Sequence, residues 1–468
     1  MAAAPAPRSV FGTSGIRGSF DRVSPALALR FGAALATRAD RVVVARDGRL
    51  SGPALERALV AGLASGAADV ERVGRLPTHA LAWASRDRDA HGVMVTASHN
   101  PPEDNGLKLF GPHGREARPA VEAAVEDAMD DAPTAAATAW GAIDERAADR
   151  SYLDAAVRHV AAAGGGGAGG GDHGANDGRA DETGEVADGL SVAVDCANGV
   201  GAVTTPPVLR RLGAHVVTVN AQIDGTFPGR DSKPTPESLA GFRELVADRF
   251  DVGIAHDGDA DRTVVVAPDG ALVPEDGVLA VLARDAVAGS DADEPLVLTT
   301  PNASSAVDDA VEDAGGRIER VRLGGLPEAM AGADDLAFAA EPWKHVFPRF
   351  GPWVDGTITA ARVVALAAAA GGADALFADV MDVSVDKRTV SCPDDAKAEA
   401  MARVEDELLA RHDVAIDRTD GLRFDFADGR WLLVRPSGTE PLIRVYGEGD
   451  AALVDEAMAI VEDAVERA

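Results

Sequence analysis

His91-Gly92-Val93-Met94-Val95-Thr96-Ala97-Ser98-His99-Asn100-Pro101-Pro102 is the stretch from which the fold is read. Its first five residues make an apolar run suited to a buried strand, and the paired prolines can extend neither a central strand nor a helix. Ser98 and His99 are therefore expected on a loop at a strand's end, which is where ligands bind in open α/β sheets. Upstream, Val42-Val43-Val44 reads as a strand followed by a helix with Leu55, Leu59 and Leu63 at four-residue spacing. The same pattern recurs in Val192 to Val194, a helix through Val208 and Leu212, and Val216 to Val219. It recurs again in Leu296 to Leu298, a helix holding Val307 and Val311, and Ile318 to Leu323. Apolar runs alternating with helical periodicity mean βαβ units and mixed or parallel sheets.

The final part differs. A helix from Met401 to Leu409, strands Leu422–Phe426, Trp431–Val434 and Leu442–Tyr446, and a closing helix Ala451–Val465 suggest an α+β domain. At 468 residues the chain exceeds a single core. The reading is α/β, with three α/β domains on mixed sheets plus a C-terminal α+β domain: residues 1–150, 191–272, 273–378 and 379–468. Between the first two, 151–190 is assigned as a disordered insertion. Its Ala161–Asp188 portion is rich in Gly, Ala and Asp and has too little apolar surface to offset the entropy of ordering.

Asp257-Gly258-Asp259-Ala260-Asp261-Arg262 follows the apolar run Val252 to Ala255 and sets three carboxylates at alternate positions. Like charges about 4 Å apart repel by roughly 4 kcal/mol near a protein surface, so converging carboxylates call for a cation. An EF-hand loop starting at Asp257 would need Gly and Glu where Arg262 and Pro268 stand, which removes calcium-loop chemistry. Two readings stay open: an acidic turn leading into a strand Thr263–Ala267, or a magnesium site beside a phosphate, where few protein carboxylates leave positions open.

Arg435-Pro436-Ser437-Gly438-Thr439-Glu440-Pro441 lies between two strands, with Arg444 beyond. Backbone N–H groups and hydroxyls of Ser437, Gly438 and Thr439, flanked by the guanidinium forks of Arg435 and Arg444, suit a phosphate dianion. A hairpin turn with solvated arginines is the alternative. Ser98 is a weak nucleophile unless a base, a metal or prior phosphorylation changes it. His99 is a local hydrogen-bonding partner or a base, and Lys108 an acid–base group or plain surface.

Taken in order, Phe11 to Gly18, Thr96 to Pro102, Asp257 to Arg262 and Arg435 to Pro441 resemble the N-terminal, phosphoserine, metal and phosphate-binding motifs of the α-D-phosphohexomutase superfamily. The resemblance spans nearly the whole chain and implies a four-domain, heart-shaped enzyme around a central cleft. It implies interconversion of sugar 6-phosphates and sugar 1-phosphates through phospho-Ser98 and a bisphosphate. Ser98, Asp257, Asp259 and Asp261 would hold one Mg2+ per active site, with a sugar bisphosphate as activator. Arg17 and Arg262 would neutralise the transferring phosphoryl group, His99 and Lys108 would serve as acid–base groups, and Arg435, Ser437, Gly438, Thr439 and Arg444 would bind the other phosphate. The family's sugar loop corresponds to Ala340-Glu341-Pro342-Trp343-Lys344-His345, where Trp343 and Lys344 replace small residues. Glu341, Trp343, Lys344 and His345 are the sugar-contact candidates. Phe11-Gly12-Thr13 and the 435–441 loop are similar to the phosphoglucosamine mutase branch, with phosphomannomutase, phosphoglucomutase and phosphopentomutase as alternatives. A metal-dependent phosphatase fits less well because it has no use for a second phosphate nest, and a non-catalytic sugar-phosphate sensor fits less well because Ser98 and all three aspartates are intact.

A formal charge of −31 argues against nucleic-acid binding. The lysines are Lys108, Lys233, Lys344, Lys387 and Lys397, and this acid-rich, arginine-preferring surface is what dense counterions favour, pointing to a halophilic archaeal-type cytosol. Cys196 and Cys392 have no metal-ligand spacing. Neither a signal peptide nor a membrane span is read, so a cytoplasmic monomer or dimer acting on a small phosphosugar is expected.

Overall fold

The computed structural model describes residues 11–12, 15–164, 186–412, 414, 416–438 and 440–468. The chain forms two compact units: one runs up to Val273 and includes Trp343–Ala378, the other joins Pro274–Pro342 to Asp379–Ala468.

In the first unit a six-stranded sheet has the order Ile16–Ser19, Asp104–Phe110, His91–Val95, Arg41–Arg46, Asp69–Arg75, Ile143–Glu145. Arg41–Arg46 runs parallel to both His91–Val95 and Asp69–Arg75. Asp104–Phe110 returns antiparallel to His91–Val95, with Lys108 opposite Met94. Helix Gly52–Ser65 turns Leu55, Leu59 and Leu63 into the core, all wholly buried, each contributing about 1.5–3 kcal/mol by burial. Helix Pro25–Ala36 packs beside it, started by Pro25 and by Ser24, whose Oγ accepts the Leu27 N–H.

Strand Asp69–Arg75 and helix Thr78–Asp87 intervene between the Val42 and Val93 strands, where the sequence reading had one helix. The sequence Asp69-Val-Glu-Arg-Val-Gly-Arg75 hides this strand, because only Val70 and Val73 are buried. A second correction concerns 151–190. Helix Asp149–Gly164 occupies its front, with Tyr152, Ala156 and Val160 buried at four-residue spacing. At its far end Ala187 is buried, its N–H bonded to Leu212 O. The Gly-rich residues 165–185 lie outside the described residues.

The unit's other sheet has the order Thr263–Val266, Val252–His256, Ser191–Asp195, His215–Val219. The last three are parallel and the first is a hairpin return. In the second unit, strands Arg317–Arg320 and Leu336–Glu341 flank Leu296–Thr299, all parallel. Its C-terminal domain is a five-stranded antiparallel sheet, Val385–Ser391, Leu442–Glu448, Trp431–Pro436, Leu422–Asp425, Ile416–Asp417, covered by helices Lys397–Arg411 and Ala451–Glu466. Among the described residues no helix is long and apolar enough to cross a membrane.

Candidate active site

Strands Val252–His256 and Thr263–Val266 place Asp257–Arg262 at a hairpin tip, so the segment is both an acidic turn and a cluster. One oxygen from each of Asp257, Asp259 and Asp261 lies within 4.8 Å of the others, and all three residues are buried. The Ser98 loop meets this tip. Ser98 Oγ is 2.8 Å from Asp257 Oδ2 and 3.2 Å from Asp261 Oδ1. The approach is close enough that a Cβ on Gly258 would stand 2.8 Å from the Ser98 carbonyl oxygen. Ser98 itself sits at φ +55°, a left-handed conformation that disfavours a side chain and recurs at functional sites.

Lys108, buried on its strand, donates from Nζ to Asp259 Oδ2 at 2.8 Å and Asp261 Oδ2 at 2.9 Å. Thr78, first residue of helix Thr78–Asp87, donates from Oγ1 to Asp259 Oδ2 at 2.6 Å. Asp259 Oδ1 is then buried with no hydrogen-bond partner among the described residues. Burial, followed by repulsion from Asp261 and Asp259, pushes the Asp257 carboxyl well above its ordinary range. Burial opposes ionisation of Asp261 too, but Lys108, Lys344, Arg262 and Arg17 hold it well below that range. A hard cation fits this donor set. It would take up the orphaned oxygen and relieve the repulsion at Asp257.

Around the cluster, Arg17 Nε and NH2 and Arg262 Nε are buried donors without partners among the described residues. His99 is lowered to about 2, by burial first and then by Arg262, so its ring is neutral at pH 7. Its Nε2 lies 3.3 Å from Arg262 NH2 and its Nδ1 3.3 Å from Ser98 Oγ. Since Arg262 can only donate, the network assigns the ring proton to Nδ1, facing the serine oxygen. Burial disfavours the Lys108 ammonium, but Asp259 and Asp261 outweigh it and raise the pKa, so Lys108 is charged.

Trp343 and Lys344 belong to this cluster as well. Thr263 N–H bonds Trp343 O at 3.1 Å, the Arg262 guanidinium lies 5.6 Å from the Trp343 ring centre, and Lys344 Nζ is 3.8 Å from Asp261 Oδ2. His345 is buried, Nδ1 3.3 Å from Thr359 Oγ1, and burial lowers its pKa to about 3.

The remaining candidates stand in the second unit. Glu341 Oε1 accepts the Gly324 N–H at 3.1 Å. Arg435 and Arg444 face each other across antiparallel strands. Arg435 Nε pairs with Asp420 at 2.9 Å and Arg444 with Glu440, which offsets the repulsion such a pair would feel. Ser437 donates its N–H to Leu442 O at 2.9 Å and accepts the Glu440 N–H at 3.2 Å, so this N–H serves the hairpin. Lys397 Nζ binds the Ser437 and Glu440 carbonyls at 2.6 Å each. Gly438 has open space over its Cα, and Thr439 lies outside the described residues, as do Thr13 and Ser14 of the N-terminal motif.

Models of the phosphoglucomutase/phosphomannomutase α/β/α domains I, II and III and of the C-terminal domain match residues 8–135, 176–270, 274–383 and 389–466. The chain belongs to the phosphoglucomutase/phosphomannomutase family. It is a phosphosugar mutase, an isomerase. A phosphopentomutase of Thermococcus kodakarensis is 37% identical over 451 residues, covering 94% of this chain and 93% of the relative. A probable phosphoglucosamine mutase of Methanopyrus kandleri is 38% identical over 475 residues, covering 97% and 98%. A solved phosphoglucomutase/phosphomannomutase family protein from Burkholderia thailandensis shares the fold at TM-score 0.79 and 23% identity, covering 98% and 97%.

Sequence reasoning about the mutase overlooked Thr78 and Lys397. The first follows Pro77 at a strand-to-helix turn, a position that could have drawn attention; the second carries no local signal.

Proposed function

We propose that this mutase interconverts glucosamine 6-phosphate and glucosamine 1-phosphate through a phosphoryl group carried on Ser98. The observation behind this reading is the contact of Ser98 Oγ with Asp257 and Asp261 of the buried carboxylate cluster. Mg2+ held by Asp257, Asp259, Asp261 and the serine phosphate would supply Lewis-acid stabilisation and a template. In the first half-reaction the P–Oγ bond of phospho-Ser98 breaks, a bond from phosphorus to the free sugar hydroxyl oxygen forms, and that hydroxyl's proton passes, net, to the serine oxygen; in the second the opposite phosphorus–sugar oxygen bond of the bisphosphate breaks, the P–Oγ bond re-forms, and the proton returns to the freed sugar oxygen. Nδ1–H of His99 is placed to donate to the departing serine oxygen. Arg17 and Arg262 offer their unpartnered N–H groups to the phosphoryl oxygens, since phosphoryl transfer depends mainly on positioning and charge neutralisation. Lys108, held as an ammonium, neutralises Asp259 and Asp261 and is a proton donor in this state. Arg435, Ser437, Gly438 and Arg444 bind the phosphate that is not reacting. A sugar bisphosphate charges Ser98.

Glucosamine is favoured by the relatives bearing that name. A pentose phosphate is the second reading, supported by the relative named phosphopentomutase and by bulky Trp343 beside Arg262, where it would narrow the sugar site. A coupled assay in molar KCl with Mg2+, offering glucosamine, glucose, mannose and ribose phosphates side by side, tests both. Preference for glucosamine 6-phosphate upholds the reading, and turnover confined to ribose 1-phosphate replaces it. Retained activity in Ser98→Ala would refute the nucleophile.

A further inference from the structure

Resting on the phosphoserine reading, we infer that two buried aspartate–arginine pairs, Asp47–Arg49 and Asp195–Arg230, are separate positioning devices, one for the nucleophile loop and one for the metal loop. Arg49 is wholly buried, and its guanidinium donates to backbone carbonyls of the Ser98 loop and to Asp47. Nε pairs with Asp47 at 3.0 Å, NH2 donates to the carbonyls of Ser98 at 2.9 Å and Asn100 at 2.7 Å, and NH1 donates to Pro101 O and, at 2.9 Å, to Asp104 O. One side chain thus satisfies four carbonyls of the loop that turns Ser98 into its left-handed conformation. Asp47 extends the grip: its Oδ2 accepts Thr96 Oγ1–H at 2.7 Å, and Thr96 Oγ1 accepts the Ser98 N–H at 2.8 Å. Both the N–H and the C=O of Ser98 are therefore fixed from one ion pair.

The neighbouring sheet repeats the device. Asp195 ends strand Ser191–Asp195, the parallel neighbour of the strand that carries the metal loop. Arg230 Nε pairs with Asp195 at 2.8 Å, both side chains nearly buried, and NH2 donates at 2.6 Å to the carbonyl of His256, the residue before Asp257. In each sheet an aspartate at the C-terminal end of the adjacent strand anchors an arginine, and that arginine grips the backbone where the reactive loop begins to turn. Burying an ion pair is rarely justified by stability alone, because desolvation offsets most of the attraction. Here the residual N–H donors of each guanidinium go to loop carbonyls, and outer-shell partners of this kind orient the groups that do the chemistry.

The two devices make separable demands on the full-length protein. Mn2+ binding by electron paramagnetic resonance, phosphoryl acceptance by Ser98 from glucose 1,6-bisphosphate by mass spectrometry, and kcat and KM for the sugar phosphate turned over would be measured in Arg49→Lys, Arg230→Lys, Thr96→Val and Thr96→Ser. Arg230→Lys is expected to weaken Mn2+ binding about tenfold, and Arg49→Lys to leave it within about threefold. Arg49→Lys and Thr96→Val should slow Ser98 phosphoryl acceptance and kcat by about tenfold or more with KM within about threefold, and Thr96→Ser, which keeps the hydroxyl, should recover most of the loss. Parallel loss of Mn2+ affinity and phosphoryl acceptance in both lysine variants would overturn the division, as would failure of Thr96→Ser to recover what Thr96→Val loses. Should Arg49→Lys not fold, the Thr96 pair decides the nucleophile half. Wild-type protein that binds Mn2+ and accepts the phosphoryl group but turns over no glucosamine phosphate refutes the substrate assignment and leaves these comparisons intact.

Discussion

Gly258 stands where the metal loop passes the Ser98 loop, and adding one methyl group there tests whether their spacing sets the rate. A Cβ at Gly258 would lie 2.8 Å from the Ser98 carbonyl oxygen and 3.2 Å from the Phe227 ring. The carbonyl is backbone gripped by Arg49 NH2 at 2.9 Å, so it cannot swing aside as a flexible side chain would. Ordinary contact begins near 3.4 Å, so the two loops must open by about 0.6 Å. Forcing an extra methyl group into packed surroundings destabilises by about 1–3 kcal/mol. For catalysis, a misplacement approaching 1 Å between reacting groups lowers the rate by up to about a hundredfold. Gly258→Ala should therefore fold, with a modest fall in melting temperature, and lose about ten- to a hundredfold in kcat with little change in KM. Steady-state kinetics at saturating Mg2+ and a thermal melt check both numbers. A kcat within about threefold of wild type in a folded Gly258→Ala protein would refute the claim that the serine–carboxylate spacing limits phosphoryl transfer.

Asp276 is raised from 3.8 to about 7, first by burial and then by Glu448, against the Ser304 N–H. An acid raised in the fold contributes fully below its unfolded value and loses that contribution as pH climbs to about 7, a penalty of about 4 kcal/mol above that pH. Asp276→Asn should thus stabilise the protein at pH 8 and hardly at all near pH 4, and equal gains in denaturant titrations at both would contradict the assignment. Lys108→Met leaves Asp259 and Asp261 buried without their cation, which should destabilise the metal-free protein by about 3–5 kcal/mol and widen the Mg2+-dependent rise in melting temperature. An unchanged rise would argue against shared carboxylates. Arg435→Ala is expected to raise KM about tenfold with kcat within about threefold, and an unchanged KM would exclude it from phosphate binding. Chelation should abolish turnover and Mg2+ restore it; full activity after exhaustive dialysis against chelator would remove the metal from the reaction.

The Ser98 loop and the aspartate loop, which the structure brings together, were legible because their signals are local. Ser98 before paired prolines and three aspartates at alternate positions announce themselves within a few residues. Parallel units around Val192 and Leu296 were legible because both faces of their strands are apolar. Strand Asp69–Arg75 escaped because the charged Asp69, Glu71, Arg72 and Arg75 surround its two buried valines, and Val385–Ser391 escaped because none of its residues is buried. Helix Asp149–Gly164 was masked by the Gly-rich stretch that follows it. Thr78, Arg49 and Arg230 act on partners far along the chain: Thr78 and Asp259 are 181 residues apart, and no periodicity records such a meeting. Lys344 was read toward the sugar, and the structure adds that its Nζ lies 3.8 Å from Asp261 Oδ2, a neighbour far along the chain that no local pattern announces.

Arg435 and Arg444 are already engaged by Asp420 and Glu440. Each arginine carries a placeholder that is tethered to it, and a tethered ligand competes at an effective concentration of about millimolar or more. A chloride ion gains nothing by displacing one such carboxylate for one unit of charge. A phosphate dianion that spanned both guanidinium groups, as the proposed function requires, would replace the two together. On the proposed reading the hairpin would exchange its two carboxylates for a doubly charged sugar ester and not for a single chloride ion.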